Sequence, residues 1–115
     1  MNFSDMLREA VNKTAPEKFT PAEKKALEKI GKTNKSKVTF KPWKSGKDAG
    51  HECIWGKPHS HVYLIKYRDS GNELWYMMGF VVDNGDGSDW ESHKFEPKKI
   101  EQWVQDYIHE YDIEI

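Results

Sequence analysis

The chain has 115 residues, a formal net charge of −1, one cysteine and no run of about 18 apolar residues. That excludes a disulfide framework and a membrane-spanning helix, and it sets the scale at a single domain, residues 1–115, which can bury about two-thirds of its surface. Asp5, Arg8 and Glu9 interrupt the first ten residues, so no secretory signal is expected there; with the lone Cys53 this points to a reducing, cytoplasmic setting.

Ile, Leu, Val and Phe supply only 22 residues, but five Trp and five Tyr add large apolar area. A folded domain with an aromatic-rich core is expected. Charge is uneven along the chain. Residues 1–50 carry twelve Lys/Arg against six Asp/Glu, and residues 51–115 carry six against thirteen. Such polarity can orient a partner.

Phe3, Met6, Leu7, Ala10 and Val11 follow helical spacing over 3–12. A second helix is signalled by Thr20-Pro21-Ala22-Glu23. Thr20 is the N-cap, Pro21 is the first helical residue and Glu23 completes a capping box. Ala26, Leu27 and Ile30 form its apolar stripe, and Gly31 is suited to end it. These two helices make a helical N-terminal segment, 1–35, in front of a sheet-plus-helix unit, 36–115.

Val38-Thr39-Phe40 reads as a short strand that Pro42-Trp43 ends, and 44–50 reads as a loop. The strongest strand signal is a hairpin, 61–69 with 73–82, turning at Asp69-Ser70-Gly71-Asn72. A two- or four-residue loop pairs Arg68 with Glu73 and Lys66 with Trp75, placing Leu64, Lys66, Arg68, Trp75 and Met77 on one face; a three-residue loop shifts the register. Residues 83–89 read as a turn, 90–95 as a third strand, and Ile113 and Ile115 as a short edge strand. The last helix opens at Pro97. Its stripe of Ile100, Trp103, Val104, Tyr107, Ile108 and Tyr111 should pack on the sheet. The sum is α+β: two N-terminal helices, a small antiparallel sheet and a C-terminal amphipathic helix.

Three constellations carry chemistry. His51, Cys53, His59 and His61 are four N/S donors within eleven residues, the number a zinc ion needs, although their spacing departs from zinc-finger patterns. With an open coordination position the same set would serve metal-assisted hydrolysis. The acidic stretch 83–89 places Val82 and His93 where a calcium loop needs oxygen ligands, so it reads as a solvated turn. Aromatic and basic residues combine at Trp43, Lys66, Arg68 and Trp75, the residue types of protein-interface anchors and of single-strand stacking platforms. No Gly-x-Ser-x-Gly elbow, phosphate loop or dinucleotide fingerprint is present, and no catalytic set is assigned.

The favoured expectation is a small non-enzymatic binding or regulatory protein that docks a protein partner, of the inhibitor, immunity or mobile-element accessory type, anchored by Trp43, Lys66, Arg68 and Trp75. One alternative is a nucleic-acid-binding domain using the Lys-rich 24–47 segment and the aromatics. The other is a zinc module or metal-assisted hydrolase.

Overall fold

The first ordered element starts where the capping chemistry says it should. A computed structural model describes residues 17–83, 85–92 and 97–115, so the helix expected over 3–12 lies outside the described residues. Helix α1 (Pro21–Asn34) opens on the capping box: Glu23 N–H donates to Thr20 Oγ1 at 3.1 Å, and Thr20 N–H donates to Glu23 Oε1 at 2.7 Å. Gly31 does not end this helix. It is buried, and a Cβ there would fall 2.1 Å from Val38 Cγ2, so the missing side chain lets the helix lie close on the first strand. The helix stops instead at Lys35, in the left-handed conformation (φ 53°), with Ser36 N–H closing back on Gly31 O at 2.9 Å.

Five strands follow: β1 (Val38–Ser45), β2 (Asp48–Lys57), β3 (Ser60–Arg68), β4 (Leu74–Val82) and β5 (Gly85–Ser92), and then helix α2 (Pro97–Tyr111). The strands form one antiparallel meander in the order β1-β2-β3-β4-β5. Among the described residues, therefore, one helix rather than two precedes the sheet. The strand at Val38 runs on through Pro42 and Trp43, and 48–57 is a strand rather than loop and metal segment. Pro42 is tolerated because β1 is an edge. Residues 112–115 form no strand; Asp112 turns left-handed (φ 48°) and returns Ile113 to the core.

The hairpin register differs from the expected one by a residue. Arg68 faces Leu74, Lys66 faces Tyr76 and Tyr67 faces Trp75. The loop has three residues, 70–72, and its left-handed residue is Asn72 (φ 64°), not Gly71. Asp69 N–H bonds Glu73 O at 3.0 Å. The Asp69 carboxylate accepts from Gly71 N–H and Glu73 N–H, both at 2.9 Å, and from the Trp75 indole at 3.0 Å. One side chain thus selects the odd loop length. Asp69→Ala is expected to lower stability by about 1–2 kcal/mol in a urea titration, with the midpoint moving and the slope unchanged.

Both helices pack on the same face of the sheet. Leu27, Ile30, Cys53, Trp55, Val62, Leu64, Met78, Ile100, Val104 and Tyr107 are fully buried in one cluster. The expected aromatic core is present. Trp55 is wholly buried and its indole donates to Leu27 O at 2.9 Å, tying β2 to α1. At the far end Trp90 stands edge-on to Tyr107 at 5.1 Å, with the Tyr111 ring tilted against Tyr107 at 4.8 Å.

Candidate functional site

Because directly paired residues of an antiparallel sheet share a face, the register settles which side chains meet. The row His51–Lys66–Tyr76 lies on the helix-covered face. There Lys66 Nζ donates to Glu23 Oε1 at 2.7 Å, and Tyr76 Oη donates to Glu23 Oε2 at 2.6 Å; Lys66 and Glu23 are only 4% and 2% exposed. Lys66 is therefore not a surface anchor, and it does not meet Trp75. Next to it Arg68 Nε donates to Glu17 Oε2 at 2.9 Å and Nη1 to Asn72 O at 3.1 Å; His51 Nδ1 bonds Glu17 O at 2.9 Å. This polar seam binds the entry of α1 to the sheet.

The electrostatics of the seam are those of a satisfied network. Burial by itself would raise the Glu23 carboxyl. Hydrogen bonds from Lys66, the Thr20 N–H and Tyr76, together with the Lys66 charge, outweigh it and hold the group below the ordinary carboxylate range. Burial, and then the bond to Glu23, raise the Tyr76 phenol above its ordinary range. Burial, with smaller effects from Glu28 and Glu52, likewise raises the Cys53 thiol, which makes it a poor nucleophile and a poor ligand.

The four zinc candidates separate. His51 and Cys53 lie on the helix-covered face of β2, and Cys53 is completely buried. His59 is an exposed turn residue, and His61 lies on the other face of β3, its Nδ1 bonded to Lys57 O at 2.8 Å. His51 pairs with Lys66 while His61 pairs with Gly56, five residues along, or roughly 16 Å at strand spacing. Among the described residues no group of three or more His, Cys, Asp or Glu side chains is placed to hold a metal ion. The expected set fails because strand β2 sends its ligands to the core and the turn sends His59 away from them.

The remaining sequence candidates, Trp43 and Trp75, lie on the sheet face opposite the helices. Ladder pairs place Trp43, Gly50, Tyr67 and Trp75 in one row across four strands. Gly50 has no side chain, and the Trp43 and Tyr67 rings meet across it at 5.2 Å. Met77 and Ile65 form the next row. Farther along, Ile54, Tyr63 and Val81 floor a cleft of about 500 Å³, rimmed by Lys37, Lys41, Lys57 and His61. The Tyr63 ring lies across β4 above Gly79, where a Cβ would fall 2.2 Å from it. This cleft was not legible beforehand. Its residues come from four strands, β1 to β4, and only the register collects them.

Neither a family model, a curated protein nor a solved structure matches the chain. No helix among the described residues is long and apolar enough to cross a membrane.

Proposed function

We propose that this chain is a small non-enzymatic binding protein that docks a protein partner on the sheet face opposite its helices. One observation carries the reading. Trp43, Ile54, Met77 and Val81 are half-buried side chains on a face that neither described helix covers, and two of them, Ile54 and Val81, line a cleft of about 500 Å³. Apolar surface gathered on one face marks interaction sites, and a rigid sheet presents it without an ordering cost. The buried, unreactive Cys53 fits a reducing, cytoplasmic setting.

The nucleic-acid alternative is less well supported. It needs the lysines of 24–47 and the aromatics on one surface. Lys24, Lys25, Lys29 and Lys32 belong to the exposed side of α1, in the layer on the other side of the sheet from Trp43 and Trp75. At the aromatic end Asp48, Asp69 and Glu73 are interspersed with Lys44 and Lys47, so that end offers no continuous basic track for a phosphate backbone.

The test is a peptide-display selection on the full chain, with the recovered peptides titrated by fluorescence anisotropy against wild type and Trp43→Ala. Trp43 lies on an edge strand and is half-buried, so the variant should stay folded, its unfolding midpoint lowered only modestly by loss of the Tyr67 contact. It should lose about 2 kcal/mol of binding, roughly 30-fold. Peptides that bind the variant as tightly as wild type would overturn the reading. So would single-stranded oligonucleotides that bind with a log–log salt slope of about −0.7 per phosphate.

A further inference from the structure

We infer that the basic-rimmed cleft takes an acidic segment of the protein partner, with a carboxylate side chain held at Lys37 and Lys57 and an apolar neighbour resting on Ile54 and Val81. This rests on the docking reading and names the partner's chemistry.

The charge balance of the cleft supports it. Three lysines line it against one glutamate, and that glutamate is already engaged: Glu52 Oε1 lies 3.5 Å from Lys41 Nζ. Among the described residues Lys37 and Lys57 have no acidic partner. The Gly56 N–H to Lys37 O bond, 3.1 Å, fixes the Lys37 backbone beside the end of β2 and so brings both lysines to one end of the cleft. Asp86 is in register with Val81 one strand beyond, and it does not line the cleft. Lysines at the rim of a largely apolar floor, two of them without an acidic partner among the described residues, complement a carboxylate next to an apolar side chain.

Beside the cleft, the β1 edge disfavours a different mode of capture. A strand added along β1 would require a continuous row of donors, and Pro42, in the middle of that edge, has no N–H. At the other end of the face, near Trp43 and Trp75, Lys44 and Lys47 mix with Asp48, Asp69 and Glu73, so the unbalanced positive charge among the described residues lies at the cleft, where Lys37, Lys41 and Lys57 meet Glu52 alone. That local excess suits a short acidic segment that continues into apolar residues.

The experiment uses the peptides recovered by display on the full chain, titrated at low and high salt against wild type, the double charge reversal Lys37→Glu/Lys57→Glu, Ile54→Asp and Trp43→Ala. The lysines are exposed, so the double reversal should keep the unfolding midpoint. The expected result is enrichment of Asp or Glu beside Leu, Ile, Phe or Trp, with binding weakened on the order of tenfold by the double reversal and again by raised salt. Neutral or basic peptides that are indifferent to the double reversal but lost with Trp43→Ala would overturn the acidic-segment inference and leave the docking reading standing. Acidic peptides unaffected by both the double reversal and Ile54→Asp would also overturn it, because their site would lie elsewhere. Failure to recover any peptide that Trp43→Ala or the double reversal weakens would remove both.

Discussion

Glu23→Ala is expected to lower the unfolding free energy by about 3–5 kcal/mol, because it leaves the Lys66 ammonium buried without its counter-charge. Glu23 Oε1 accepts from both Thr20 N–H and Lys66 Nζ, and Oε2 accepts from Tyr76, so one truncation orphans three donors. The loss of the capping box falls within the same variant. The control is Glu23→Leu/Lys66→Met. It removes both charges, and replacing a buried pair with apolar residues of similar volume is often neutral. Urea unfolding of the two variants should therefore place the double variant well above Glu23→Ala; equal losses in both would mean that the pair's charges play no special part.

The same network fixes a pH dependence. The folded state holds the Glu23 carboxyl below its ordinary value of 4.5, so in that range the unfolded chain binds the extra proton. The stability from the pair is complete above the unfolded value. It is lost as pH falls through the folded one. Thermal midpoints of wild type should drop more steeply below about pH 4.5 than those of the Glu23→Leu/Lys66→Met variant. Tyr76 works in the opposite direction. Its phenol is raised by burial and by Glu23, so its contribution persists to alkaline pH and declines only above the ordinary phenol value of 10.0.

The second large effect is at Trp55. Trp55→Ala is expected to cost about 3–5 kcal/mol, from lost burial and the cavity left behind. The indole is wholly enclosed between α1 and the sheet and makes the Leu27 O bond as well. Trp55→Phe keeps most of the apolar contact and loses that bond, so it should cost about 1–2 kcal/mol. Calorimetry of the two variants weighs packing against hydrogen bonding, since both lose the bond and the alanine leaves much the larger cavity.

Local chemistry was readable residue by residue. The Thr20 capping box and the 97–111 stripe each depend on neighbours within one turn of helix, and the structure reproduces both. Gly31 misled because glycine at a helix end and glycine under a strand look alike in one dimension. Only Val38, packed against it, tells them apart. The hairpin register was ambiguous for a similar reason. Val62, Leu64, Tyr76 and Met78 offer one apolar face, and Tyr63, Ile65, Trp75 and Met77 offer another nearly as apolar, so the alternation does not say which is inside. A slip of one residue exchanges them.

That slip decided the candidate site. In the observed register Lys66 and Arg68 face the helices and make buried or half-buried ion pairs, while Trp75 goes to the opposite face with Trp43 and Tyr67. The zinc set was adjacent in sequence and separated in space. The cleft residues Lys37, Ile54, Lys57 and Val81 were scattered in sequence and assembled in space. By itself, then, the sequence determined the α+β class, the existence of strands β3 and β4, the cap of α1, the inward face of α2 and an aromatic core. These follow from periodicity and from contacts within a few residues. The tertiary structure alone decided which sheet face the helices cover, which charges are buried as pairs and which residues line the cleft. Those outcomes hang on strand register, and at the β3–β4 turn the Asp69 carboxylate braces the three-residue loop that goes with the observed register.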